Sequence, residues 1–156
     1  ETPDGPAVSG QVIASLRDGA PVNIDVIGVG SSPYDHLKSA GVTVNGLNSS
    51  ERSEQTDRTS RLRFSNKRAQ WWWQFREALD PQNSMDVQLP VDRKLKADLC
   101  TPRWTMLSNG IRVESKEDII KRLGRSPDRG DAVVYAWAES RRAKTKDIEY
   151  PPMGIV

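Results

Sequence analysis

Residues 22–30 read VNIDVIGVG, and this stretch decides the fold class that the sequence predicts. Its β-branched residues are typical of a short buried strand, and the glycines at its end indicate a tight turn into a helix. A second short strand is expected at residues 42–44, after the helix that carries Leu37. Two strands joined by a helix over so few residues predict a parallel βαβ unit, and therefore an α/β fold.

Other segments carry clear helix or hairpin signals. The spacing of apolar residues predicts helices over residues 5–16, 66–79 and 92–99. Asn109-Gly110 between two apolar stretches predicts a β-hairpin over residues 103–113. A capping box begins a helix at Ser115, and Ser126 with Pro127 begins the last helix, whose residues 132–138 are apolar all round.

The composition fits one globular domain. The chain has 156 residues, 36% of them hydrophobic, with a net charge of +2 and a mean hydropathy of -0.65. One Cys and one His exclude a disulfide scaffold, a multi-Cys zinc cluster and two-His metal motifs, so a reducing compartment is expected. No apolar run approaches the ~20 residues that span a bilayer, and no signal peptide is recognisable. The sequence predicts a soluble protein without a membrane partner. Because it begins with Glu1, we interpret it as a fragment or a processed chain.

Three consecutive tryptophans lie in the predicted helix over residues 66–79, at positions 71, 72 and 73. The apolar members of this helix cover more than half of its circumference at 100° per residue. The helix is therefore expected to pack between two layers, with one indole left for a partner as the alternative. A base-stacking platform is disfavoured, because such platforms interleave aromatic with basic residues along an open groove.

A polar segment and a group of basic residues precede this helix. Residues 48–59 are almost all polar, which predicts a mobile loop with little buried surface. The basic residues that follow are Arg58, Arg61, Arg63, Lys67 and Arg68. They form either a solvated face neutralised by nearby acids or a patch that contacts the phosphates of double-stranded DNA.

Two acids occupy positions where a carboxylate is costly. Asp25 ends the first strand, where open α/β sheets bind ligands, and Asp131 precedes seven apolar residues. A buried carboxylate needs a partner such as a metal ion, an Arg or backbone N–H groups. In the structural alternative, Asp25 accepts hydrogen bonds from the turn at residues 28–30, while Asp128 and Asp131 favour the positive end of their helix.

Three common enzyme classes are not supported by the motifs. Gly28 and Gly30 are weak evidence for a nucleotide site, because Pro33 stands where a dinucleotide-binding turn would carry its third glycine. No phosphate-binding loop of the Walker type is present, so an ATPase is not encoded in this stretch. His36 could serve a Ser-His-Asp triad only if the fold brought a serine to it, and no nucleophile elbow occurs.

The sequence resembles the C-terminal nuclease domain of phage terminase large subunits. The resemblance is carried by IDVIGVG (24–30), FSNKRAQWWW (64–73) and ESKEDIIKRLGRSPDRGDA (114–132), and it extends over about residues 5–141. It implies an RNase H-like fold, a mixed sheet flanked by helices, over residues 1–143, with residues 144–156 as a C-terminal tail.

The resemblance also implies a function and a site. Domains of this family bind two Mg²⁺ or Mn²⁺ ions and cut concatemeric viral double-stranded DNA in the bacterial host cytoplasm. Their partners are the terminase ATPase domain, the small terminase subunit and the portal. Asp25 and Asp131 match the family's metal ligands, and Asp128 is implied as an outer or second-metal ligand. Lys116 and Arg125 are implied as groups that neutralise the charge of the scissile phosphate.

The sequence departs from the family at its beginning. The family's first catalytic Asp lies upstream of the matched region, and the ATPase domain is absent. This departure predicts a sheet that is incomplete at the N-terminus, with the tryptophan stripe left without a covering layer. The alternatives to a nuclease are therefore a prophage remnant or cut piece that is inactive, a chain that completes its sheet by self-association, and a non-catalytic module that binds DNA or a packaging partner.

Overall fold

The protein is described by a computed structural model that covers residues 4–17, 19–85 and 87–140. Its helices are α1 (Gly5–Ser15), α2 (Ser31–Ser39), α3 (Lys67–Ala78), α4 (Arg93–Leu99), α5 (Lys116–Leu123) and α6 (Asp128–Ser140). Its strands are β1 (Val22–Asp25), β2 (Val44–Leu47), β3 (Trp104–Leu107) and β4 (Gly110–Val113). The predicted C-terminal tail lies outside the described residues. Within them, no helix has the length and apolar character needed to cross a membrane.

The strands form two small sheets. β1 and β2 pair in parallel, with Val22 opposite Val44, which confirms the predicted βαβ unit. β3 and β4 pair antiparallel, which confirms the predicted hairpin. In the described part of the chain the two sheets do not merge into one mixed sheet. A parallel β-bridge between Phe64 and Ile111 joins the hairpin to the segment just before α3.

The core is built around α3. Trp71, Trp72 and Trp73 are 3%, 7% and 9% exposed, so the prediction of a helix packed between layers is confirmed. Trp71 packs edge-on against Tyr135 of α6, and Trp73 packs edge-on against Trp104 of the hairpin. The expectation that the tryptophan stripe lacks a covering layer is wrong, because α6 and the hairpin cover it from opposite sides.

The polar segment before α3 is more tightly held than its composition predicts. It forms no helix or extended strand, as expected, but its Asp57 is buried. Burial raises the pKa of Asp57, yet hydrogen bonds from the Leu62 amide and the Thr59 hydroxyl outweigh this and lower it. The Arg68 amide also donates to the Ser49 carbonyl at 2.9 Å. Most of residues 48–59 are exposed, as predicted, but Ser53 and Asp57 are buried because their polar groups bond within the segment and to α3.

The last helix differs in two details from its prediction. It begins at Asp128 rather than Pro127, and the Ser126 hydroxyl donates to the Asp128 carboxylate at 2.7 Å. Val134 is fully buried, whereas Ala132 is exposed. The helix is thus buried along one side only, and its small residues make an apolar sequence compatible with an exposed face.

Asn66→Ala is expected to lower the free energy of unfolding by about 1 kcal/mol. Asn66 is the N-cap of α3, and its side-chain oxygen accepts a hydrogen bond from the Ala69 amide at 2.9 Å. Urea unfolding measures the change. Asn66→Asp retains a capping oxygen and is the matched control, so a loss from Asn66→Asp as large as that from Asn66→Ala would contradict the assignment.

Candidate active site at the start of helix α6

Asp131 lies in the first turn of α6 and is 7% exposed. The Arg68 guanidinium donates to its Oδ1 through Nη1 at 2.7 Å, and the Trp72 indole Nε1 donates to the same oxygen at 3.2 Å. Both donors come from α3, where residues four apart lie on one face. The sequence predicted that Asp131 needs a compensating partner, and that partner is an Arg.

Arg68 is held from several directions. Its Nη1 also donates to the Tyr135 hydroxyl at 3.2 Å, and its Nε donates to the Glu114 carbonyl at 3.3 Å. Its guanidinium carbon lies 5.6 Å from the centre of the Trp72 ring. Burial lowers the pKa of Arg68, but the charge of Asp131 and the bonds to Asp131 and Tyr135 outweigh it, so the pKa is raised. Arg68 therefore stays charged beside Asp131.

The hydroxyl of Tyr135 contacts Arg68 and is influenced by the charges of Asp131 and Asp25. It lies one turn after Asp131 on α6, and burial raises the pKa of its hydroxyl. The charges of Asp131 and Asp25 raise this pKa further, while Arg68 and a hydrogen bond with Ser49 lower it. Of these two acids, Asp131 acts on the hydroxyl more strongly than Asp25 does.

The end of β1 is positioned by hydrogen bonds to α6 and to its own turn. The Asn23 side chain donates to the Tyr135 carbonyl at 2.8 Å, and the Asn45 side chain donates to Asn23 at 2.9 Å. At the carboxyl end of β1, the Asp25 Oδ1 accepts from the Ile27 amide at 3.1 Å. The structural alternative predicted that Asp25 accepts from the turn at residues 28–30, whereas its backbone partner comes just before that turn.

Asp128 faces outward and pairs with Lys116. The Lys116 ammonium lies 2.7 Å from the Asp128 Oδ1, and the Asp128 side chain is 71% exposed. Burial lowers the pKa of Lys116, but the bond to Asp128 and the charges of Asp128 and Asp131 outweigh it, so the pKa is raised. Hydrogen bonds from Lys116 and Ser126 lower the pKa of Asp128. Lys116 therefore carries its charge between the exposed Asp128 and the buried Asp131.

The arginines and the Lys67 predicted to contact DNA, in the basic patch or at the scissile phosphate, divide into three groups. Arg58, Arg61 and Arg63 are exposed. Lys67 pairs with Glu51, and Arg125 pairs with Asp98. The prediction that Arg68 belongs to an exposed patch is wrong. Arg68 is buried, because its guanidinium forms an ion pair with the buried Asp131 carboxylate.

The oxygen donors at this site fit a hard divalent cation. Mg²⁺ is commonly held by one or two carboxylates and completes its shell with waters and substrate phosphates. Within the described residues, both hydrogen bonds to the Asp131 side chain end on Oδ1, which leaves Oδ2 for a ligand. The same part of the chain holds no group of three or more His, Cys, Asp or Glu that could bind a metal. Asp131 thus offers one oxygen without a hydrogen bond from the described residues, and Asp25, which ends the strand bonded to α6, is the second candidate ligand.

Sequence reasoning missed two members of the site. Trp72 was assigned to the core alone, although it lies four residues after Arg68 and shares its partner. Tyr135 was taken as part of an apolar run, although it lies four residues after Asp131 on the same face of α6. The helical spacing of four residues is the signal that could have identified both.

Comparisons with known proteins identify the fold. No family model matches the chain, and no curated protein matches it. Among solved structures, the chain is similar to a lysine-to-alanine mutant of the nuclease domain of the large terminase subunit gp2 of bacterial virus Sf6, solved with manganese and beta-thujaplicinol. The TM-score is 0.63 and the identity is 19%, and the match covers 85% of this chain and 71% of that chain. The nuclease domain of the same subunit has a TM-score of 0.61 and 21% identity over 85% and 69% of the two chains. A further structure of the mutant contains calcium. The chain therefore has the fold of these terminase nuclease domains, as the resemblance predicted.

Proposed function

We propose that this chain is part of the metal-dependent endonuclease of a phage or prophage DNA-packaging terminase large subunit, which cuts concatemeric double-stranded DNA. The observation that carries the proposal is the buried Asp131, which is held through one oxygen on the helix that is hydrogen-bonded to β1, the strand that ends at Asp25. The likeness to a nuclease domain that was solved with manganese or calcium supports a divalent cation at these carboxylates.

The proposed roles follow from the positions of the side chains. Asp25 and Asp131 would hold the cation, Mg²⁺ or Mn²⁺. When bound, such an ion polarises the phosphoryl oxygen and lowers the pKa of water. Asp128 is exposed and paired with Lys116, which suits an outer contact rather than a direct ligand. Lys116 is positively charged at neutral pH, and its half-exposed side chain can stabilise negative charge on a phosphate.

The proposed contact with DNA uses the exposed part of the basic patch. Arg58, Arg61 and Arg63 are free to meet backbone phosphates, whereas Lys67 and Arg125 would have to exchange their carboxylate partners for phosphate. Phosphate contacts of this kind release counterions, so DNA affinity should fall steeply with salt. The terminase ATPase domain, the small terminase subunit and the portal, in the bacterial cytoplasm, complete the proposed setting.

A second candidate function is a non-catalytic module that binds DNA or a packaging partner. It is favoured by one observation, namely that the described residues bring no third metal-binding side chain to Asp25 and Asp131. This module would bind duplex DNA equally well in EDTA and lose affinity as salt is added.

Cleavage of supercoiled plasmid separates the two functions. The purified chain is incubated with plasmid in Mn²⁺, Mg²⁺ or EDTA, beside Asp131→Asn and the control Asp118→Asn, which alters a half-exposed carboxylate paired with Arg112. The nuclease predicts metal-dependent nicking that Asp131→Asn abolishes and Asp118→Asn retains. A folded wild-type chain that cuts nothing would exclude nuclease activity of this chain and favour the binding module.

A further inference from the structure

Two donors from α3 meet a single oxygen of Asp131. The Arg68 Nη1 lies 2.7 Å from Oδ1, and the Trp72 Nε1 lies 3.2 Å from the same atom. Among the described residues, no hydrogen bond reaches Oδ2. A carboxylate held by two donors on one oxygen cannot rotate without breaking both bonds, so its second oxygen has one defined position.

The indole that supplies the second donor is itself fixed. Trp72 is 7% exposed, and the Arg68 guanidinium lies over its ring. A Cβ built on Gly130 would lie 3.1 Å from the Trp72 ring, so the indole packs against the backbone of the residue that precedes Asp131. The ring therefore contacts both the side chain of Asp131 and the helix turn that carries it.

We infer that Trp72 and Arg68 are positioning residues for Asp131, which hold Oδ1 so that Oδ2 is the oxygen presented to a divalent cation. The inference rests on the proposed function, because the cation is that of the proposed nuclease site. Outer groups that orient a metal-binding carboxylate are worth about 10–100-fold in metal affinity. Trp72 is the cleaner test of the two, because its indole carries no charge and Trp72→Phe leaves the net charge of the site unchanged.

The same helix supplies a matched control. Trp73 is 9% exposed, and its Nε1 donates to the Glu77 carboxylate at 3.1 Å. Trp72→Phe and Trp73→Phe therefore each remove one indole donor from one carboxylate, buried at Asp131 and half-buried at Glu77, and each retains an aromatic ring. Only Trp72→Phe acts at Asp131. A purely structural role for the indole bond predicts similar effects of the two substitutions on stability and none on metal binding.

The first measurement is the affinity for Mn²⁺. Binding is monitored by the loss of the electron paramagnetic resonance signal of the free ion. The chains compared are the wild type, Trp72→Phe, Trp73→Phe, Arg68→Lys and Asp131→Asn, each checked for cooperative unfolding. We expect Trp72→Phe to weaken Mn²⁺ binding by about 10–100-fold and Trp73→Phe to leave it unchanged. Arg68→Lys keeps the positive charge but not the planar guanidinium, so it should also weaken binding.

The second measurement is made on the wild-type chain, with Asp131→Asn as its control. Mn²⁺ bound at Oδ2 should broaden the indole N–H resonance of Trp72 at lower concentrations than that of Trp73, and Asp131→Asn should remove this difference. If Mn²⁺ binds through Asp131 but Trp72→Phe binds it as tightly as the wild type does, the positioning role is overturned and the proposed function stands. If the wild type shows no Mn²⁺ binding that depends on Asp131, the proposed function fails and the inference fails with it.

Discussion

Arg68→Ala is expected to lower the free energy of unfolding by about 3–5 kcal/mol, because it leaves the buried Asp131 carboxylate without its counter-charge. The two side chains are 9% and 10% exposed, so solvent screens their interaction little. The substitution also removes the donor to the Tyr135 hydroxyl. Urea unfolding monitored by circular dichroism measures the change, and the slope of the transition reports whether the folded state stays compact.

An exposed ion pair provides the control for this prediction. Arg112 lies 3.5 Å from Asp118, and the two side chains are 52% and 44% exposed. Arg112→Ala should therefore cost less than about 1 kcal/mol. The double variant Arg68→Ala with Asp131→Ala should recover part of the loss, because neither charge is then left unpaired. Equal losses for Arg68→Ala and Arg112→Ala would contradict a buried ion pair at the site.

Gly30→Ala is expected to destabilise the fold by about 1–3 kcal/mol or more through overpacking, and to displace the end of β1. A Cβ at this position would lie 1.7 Å from the Asp25 carbonyl oxygen, a backbone atom that cannot turn aside. Relief of this clash requires movement of the main chain that carries the Asp25 carboxylate. The substitution should therefore reduce both the free energy of unfolding and the affinity for Mn²⁺, measured by urea unfolding and by Mn²⁺ titration.

Gly10 offers the matched control for a glycine without such contacts. It lies within α1, and a Cβ built there would meet no atom within 4 Å. Gly10→Ala should raise the free energy of unfolding by about 0.5–1 kcal/mol, because alanine favours a helix interior. A Gly30→Ala variant as stable as the wild type would contradict the close contact between Gly30 and the Asp25 carbonyl.

Local patterns in the sequence predicted most of the elements. The β-branched run before Gly28 predicted β1, and Asn109-Gly110 predicted the hairpin, because both signals depend only on neighbouring residues. The width of the apolar face on α3 also predicted its place between two layers, since a surface helix buries one stripe only.

The contacts that build the site could not be predicted in this way. Arg68 and Asp131 are 63 residues apart in the chain, and composition placed Arg68 with the exposed arginines around it. A buried carboxylate was known to need a partner, but which of several cations supplies it depends on how α3 packs against α6. The burial of Asp57 was not predicted for a related reason: it depends on hydrogen bonds from the Arg61 and Leu62 amides, which hydrophobicity does not report.

If Asp25 and Asp131 together hold a divalent cation, anomalous diffraction from crystals soaked in Mn²⁺ should show it. We expect an anomalous peak in contact with the Asp25 carboxylate and with Oδ2 of Asp131, while Arg68 and Trp72 remain bonded to Oδ1. No peak at these carboxylates, or a peak only at the exposed Asp128, would contradict it.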